Sequence, residues 1–339
     1  MSEIELTDQI LRHSLEILRL SAGEQARADA MMAELIAELR MLLLSRDVSA
    51  ATKRDIEAII AEADRAIAAK YAELATSVDT HELALIVAEK TAHLVEGVGA
   101  TMPTAARLAS LTKDVLIDGA PSSAWWSKQA EDTAFKFAAQ VRQGVINNET
   151  QAQIVQRIVG KNGEPGIMDV ARRNARALVH SSVMNAANQA RLASFRAMSA
   201  HIAGVRWLAT LDGHTCPRCA ALDGQGWTLD GEKLPGTEVT FQAPPIHWND
   251  RCVLSPIPKG LDEIFPGMDA KIAAASMRAS KDGPIAAKVT FNDFLHRQSP
   301  AFIDKMLGKG RADLFNAGKI TVRDLVSGTG RELTLDELR

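Results

Sequence analysis

Residues 216–252 read CPRCAALDGQGWTLDGEKLPGTEVTFQAPPIHWNDRC, and they hold every cysteine of a 339-residue chain. Cys216 and Cys219 stand three positions apart, and after a loop His247 and Cys252 form a second close pair. Two ligand pairs of this kind, brought together by the fold, can surround a tetrahedral ion. The spacing predicts a structural zinc ion held by Cys216, Cys219, His247 and Cys252, with Asp250 as an alternative fourth donor. Four protein ligands leave no coordination position for a substrate, so the pattern predicts a staple and no catalytic residue. Glycines and prolines recur every few residues between Thr210 and Pro258, which predicts short strands and turns around the staple. Pro217 stiffens the first pair, and Pro244-Pro245 sets the approach to His247.

Upstream of this stretch, Val205 to Ala209 alternates as a strand does. Before it comes a long helix over 169–200, N-capped by Asp169 and rich in Ala, Asn, Ser and Arg. Further helices are expected over 123–143, with Trp125, Trp126, Phe135, Phe137 and Val141, and over 149–159, stopped by Gly160 and the loop 161–166. Asp212 and Asp223-Gly224 read as turns, His214 as an exposed loop residue, and Trp227 as a core plug.

Residues 1–120 contain a single aromatic, Tyr71, whereas all Trp and Phe residues lie from Trp125 onward. A segment built from Ala, Leu, Ile, Met, Glu and Arg suits long helices packed in pairs. Ala28, Met31, Met32, Leu35, Leu39, Leu42 and Leu43 fall at helical spacing, as do Ile56, Ile59, Ile60, Ala63, Ile67, Tyr71 and Leu74 after a cap at Thr52. A third run, Leu83 to Val95, ends at Gly97-Val98-Gly99. Past Pro256-Ile-Pro258 the chain returns to helical patterns over 267–280, 290–297 and 300–307, then to apolar Ile320 and Val322 to Val326.

Residues 1–150 carry 15 Lys/Arg against 23 Asp/Glu, and residues 151–339 carry 24 against 19. The basic excess sits in 151–200, where Arg172, Arg173, Arg176, Arg191 and Arg196 are candidate contacts to double-stranded DNA. The acidic N-terminus has no basic and apolar leader pattern, and no apolar run is long enough to span a membrane. A protein made in the cytoplasm and kept reduced is expected. No P-loop, dinucleotide fingerprint or nucleophile elbow occurs.

The run Trp207-Leu-Ala-Thr-Leu-Asp212-Gly-His-Thr-Cys216-Pro-Arg-Cys219-Ala-Ala-Leu-Asp-Gly224, followed by Pro244-Pro-Ile-His247-Trp-Asn249-Asp250-Arg251-Cys252, resembles the phage Mu F-like minor head proteins. The preceding helix, with Arg176, Asn185, Ala186 and Asn188, is similar too. The chain departs from the family pattern at Asp250, where many members carry cysteine. The resemblance implies a minor structural protein of a tailed-phage head, associated with the portal and active in procapsid assembly and in DNA packaging or ejection. Trp207, Asp212, Gly224, Pro244, Asn249 and Arg251 would then hold the fold of the motif. Such a protein would act in the host cytoplasm during assembly and reside in the virion head.

The fold expected is mainly α with a central α+β module. It comprises an elongated helical region for partner docking (1–120), a central Cys/His-stapled module (121–260) and a C-terminal helical extension (261–339). The alternative is a metal-dependent nuclease or toxin-like enzyme on the same module, since Ile246-His247-Trp-Asn249 superficially echoes a nuclease motif. Using His247 as a base would remove it from the metal shell.

Overall fold

A computed structural model describes residues 3–45, 52–94, 101–113, 115–160, 164–259, 277–278, 280–282, 285–286 and 289–339. The chain is mainly helical with a few short strands, as the sequence predicts. It divides into two compact units, one formed by 1–18, 81–113 and 184–339, the other by 19–80 and 114–183.

In the second unit the elements are α1 (Glu3–Leu44, whose first turns lie in the other unit), α2 (Lys53–Ala75), the paired short strands β1 (Leu116–Ile117) and β2 (Ala120–Pro121), α5 (Ser122–Ile146), α6 (Gln151–Val159) and the N-terminal half of α7 (Ile167–Ala197). Helix α2 starts where Thr52 accepts from the Asp55 N–H, and Asp55 returns a carboxylate to the Thr52 N–H at 3.0 Å, a complete capping box. Its buried face is the predicted set Ile56, Ile59, Ile60, Ala63, Ile67, Tyr71 and Leu74. Burying such a stripe, at about 25 cal/mol per Å² of apolar surface, is what holds a helix of ordinary propensity in place. The α1 stripe is likewise buried except for Leu42, which is half-buried. Tyr71 reaches α5, where its hydroxyl lies 3.0 Å from Thr133 Oγ1 and its ring meets Trp126 edge-on. On α5 itself Trp126, Phe137 and Val141 are buried, but Phe135 is 76% exposed.

Gly160 ends α6 with φ +82°, and a Cβ there would stand 2.8 Å from the Glu164 carbonyl oxygen. Asp169 is not the cap of α7: the helix begins at Ile167, and the Asp169 carboxylate reaches back to the Gly166 N–H at 2.9 Å. The carboxylate thus serves the helix start from inside the first turn.

The first unit contains α3 (Thr80–His93), α4 (Ala105–Thr112) and a three-stranded antiparallel sheet whose central strand comes first in the chain. Its strands are β3 (Ile202–Leu208), β4 (Gly226–Thr228) and β5 (Val253–Pro258). In register, Val205 faces Trp227 and Trp207 faces Leu254, which puts both Trp side chains in the core with no exposure. Gly204 lets β3 and β4 close up, since a Cβ there would lie 2.2 Å from the Trp227 carbonyl oxygen. One short helix, α8 (Pro217–Leu222), interrupts the path from β3 to β4.

The Gly97-Val98-Gly99 terminator, the 161–163 loop and most of the helix expected over 267–280 lie outside the described residues. Residues 277–278, at the end of that expected helix, instead pair with 285–286 as strands. The last part forms helices Phe291–Leu295, Pro300–Leu307 and Lys309–Asn316, then a single 3-10 turn at Arg323–Leu325. The helix over Lys309–Asn316 escaped the sequence pattern because Gly308 and Gly310 flank its start. Ile320, Val322, Leu325 and Val326 are all buried, as expected of an apolar run.

Candidate metal centre

Cys216 is the N-cap of α8: its Sγ accepts from the Cys219 N–H at 3.3 Å, and Pro217 occupies the first helical position. One helical turn therefore sets both thiols on the same side. The second pair comes from the 246–252 turn, in which Asn249 adopts φ +59° and the Pro244–Pro245 peptide is cis. Arg218 ties the two segments, donating to the Ile246 carbonyl at 3.3 Å and to Gln242 Oε1 at 2.7 Å.

The result is two overlapping triads that share Cys219, namely Cys216/Cys219/His247 and Cys219/Asp250/Cys252. Within each, all donor atoms lie within 4.8 Å of one another. His247 Nε2 is 3.1 Å from Cys216 Sγ and 3.0 Å from Cys219 Sγ, and Cys219 Sγ is 3.6 Å from Asp250 Oδ1. Zinc–sulfur and zinc–nitrogen bonds of ordinary length imply tetrahedral edges of about 3.4–3.8 Å. The His247–thiol spacings of the first triad need adjustments of a few tenths of an ångström to match those edges, whereas Cys252 groups with Cys219 and Asp250 and must close in by about an ångström to complete a shell with Cys216 and His247. His247 Nδ1 donates to the Trp248 carbonyl at 2.8 Å, the usual orienting bond of a histidine that ligates through Nε2. The half-open pocket that these residues line holds about 10 Å³, roughly the space of one water or ion.

The electrostatics agree with a cluster short of positive charge. Hydrogen bonding from Cys219, aided by His247, brings Cys216 down to about 5, while its bond to Cys216 raises His247 to about 9. Cys219 is pushed far up by its hydrogen bonds with the neighbouring thiols and by burial. Burial pushes Cys252 up to about 12. A divalent cation at the centre would reverse both upward shifts, because it favours thiolates.

Asp250 is 2% exposed and already employed as a loop brace. Its Oδ2 accepts from the Ile246 N–H at 2.9 Å and its Oδ1 from the Cys252 N–H at 2.8 Å. Asp212 forms the expected turn, accepting from the His214 N–H at 2.9 Å, and adds a bidentate pair with Arg251 at 2.7 and 2.8 Å. Burial pushes the Asp212 carboxyl up, but the Arg251 and His214 hydrogen bonds outweigh it and hold it below the usual carboxylate range. Gly224 has φ +79°, a backbone conformation that side chains disfavour.

Three contributors make contacts that the sequence did not signal. Asp223 is more than a turn residue: its buried carboxylate accepts from the Ala209 N–H at 2.9 Å and from the Phe291 N–H at 2.8 Å. Thr215 donates to the Thr210 carbonyl. Asn188 of α7 donates to the Cys252 carbonyl at 3.2 Å. These bonds join positions far apart or in unremarkable local sequence, where spacing rules have no purchase.

The arginines of α7 do not form one exposed basic face. Arg191 is 2% exposed and points into the core, so it is corrected from a DNA contact to a buried group. Arg176 pairs with Asp29 at 2.9 Å, and Arg172 lies 3.9 Å from the same carboxylate. Arg173 is exposed, as is Arg196, whose Nε donates to the Leu229 carbonyl. Among the described residues, no helix is long and apolar enough to cross a membrane.

Residues 136–255 match the protein family described as Phage Mu protein F like protein. The match takes in α7, β3, β4, the first half of β5 and every candidate ligand. No curated protein and no solved structure matches the chain.

Proposed function

We propose that this chain, whose residues 136–255 form a Mu F-like module, is a minor structural and morphogenesis protein of a tailed-phage head. It associates with the portal and serves procapsid assembly and the packaging or ejection of DNA. The family match over the Cys/His module carries this reading. The acidic helical region 1–120 docks other head or portal components, and 261–339 extends the central module. Arg173 and Arg196, with Arg172 and Arg176 where Asp29 releases them, meet packaged double-stranded DNA.

In the same reading the module is stapled by zinc, with Cys216, Cys219, His247 and Cys252 as ligands. Both Asp250 oxygens already hold backbone N–H groups, which favours Cys252 as the fourth donor and Asp250 as its brace. Bound there, the ion would supply folding stability. A shell filled by four protein ligands would leave no position for a substrate, which supports a structural and non-enzymatic role.

Expression of the phage head genes with and without this gene tests the assignment. The full chain is expected to co-purify with portal-containing particles, and heads formed without it should fail to package or eject DNA. Normal, infectious heads lacking the chain would contradict it. Cleavage of DNA by the purified protein, abolished by His247→Ala without unfolding, would favour the enzyme instead.

A further inference from the structure

Helix α7 turns Asn188 and Arg191 inward, at 3% and 2% exposed, toward the strand that leaves the metal cluster. Asn188 Nδ2 donates to the Cys252 carbonyl at 3.2 Å, and Arg191 Nη1 donates to Asn188 Oδ1 at 3.0 Å. A guanidinium only donates and a carbonyl only accepts, so the amide between them has one orientation and no flipped alternative. Among the described residues no carboxylate pairs with Arg191, and its Nε has no acceptor. An unpaired buried cation is costly, so its stability contribution does not explain its presence. What Arg191 does achieve is to lock an amide that holds the backbone of a candidate ligand. Three thiolates and a neutral histidine around a divalent zinc ion would also leave a net negative centre, to which a buried cation is suited.

We propose that Asn188 and Arg191 are positioning residues for the metal centre: Arg191 locks the Asn188 amide, and the amide pins the Cys252 carbonyl so that the Cys252 thiolate is the fourth donor. This rests on the zinc reading above. Asp250 is left to brace the loop through the Ile246 and Cys252 N–H groups.

Asn188→Asp separates positioning from simple packing. It keeps the side chain's size and gives Arg191 the carboxylate it lacks, but it removes the donor to Cys252. A purely structural role predicts a stabler protein with unchanged metal binding. The positioning role predicts that full-length Asn188→Asp binds zinc about 10- to 100-fold more weakly in chelator competition. Its cobalt(II) complex should also lose part of the thiolate-to-metal charge-transfer absorption, as one thiolate leaves the shell. Arg191→Met should shift both readouts in the same direction. It carries the comparison if Asn188→Asp fails to fold. Wild-type affinity and spectrum in both variants would overturn the proposal. If wild type takes up neither ion, the zinc reading fails and the pair is judged on the metal-free protein. Faster alkylation of Cys252 in Asn188→Asp or Arg191→Met than in wild type keeps it, and equal rates overturn it.

Discussion

Helix α2 and the 209–252 segment are held by opposite kinds of interaction. Helix α2 buries seven side chains of similar character along one face, and each contributes a share of apolar burial. The 209–252 segment has little regular structure beyond α8 and β4, and depends on a few polar contacts that converge on the Cys/His cluster. Distributed packing loses stability in portions, whereas a converging site loses its organisation when one member goes.

The sharpest break in that comparison is Cys219→Ser. Cys219 belongs to both triads, so its loss leaves neither complete. Apparent zinc-binding energies on the order of 10 kcal/mol in small structural sites predict loss of metal and of the module's folding. Chelator-induced unfolding of wild type, absent in the variant, provides the check. In α2, Ile67→Ala should cost about 2–5 kcal/mol by denaturant melting, because Ile67 is fully buried, and metal content should be unchanged. A variant that also released the metal would show that the two kinds of stabilisation are coupled.

Asp212→Asn should cost about 2 kcal/mol near neutral pH, since it weakens a half-buried, bidentate charge-assisted contact with Arg251. The sign with pH follows from the lowered Asp212 carboxyl. Its contribution is fully present above the unfolded value of about 3.9 and is lost as pH falls through the lower folded value. The gap between wild type and Asp212→Asn should therefore narrow in acid, as measured by melting across that range. The smallest effect is expected at the α2 cap, where Thr52→Ala should cost about 1 kcal/mol.

The same contrast explains what the sequence made legible. The α2 face was readable residue by residue, because helical periodicity maps directly onto burial. The Cys/His spacing announced a cluster that the fold does assemble. Composition misled for Arg191, whose charge suggested a surface that its position on α7 denies it. The roles of Asp223, Arg218 and Asn188 depend on partners that lie 14–68, 24–28 and 64 positions away, and no local pattern encodes such contacts.

The central claim is that a metal ion staples the Cys/His module. Elemental analysis of the full-length protein, purified under reducing conditions without chelator, tests it most directly. The account predicts about one zinc ion per chain, lost together with the module's thermal transition in Cys216→Ser and Cys219→Ser. Fully folded wild-type protein that contains no metal and gains no stability when zinc is added would contradict it.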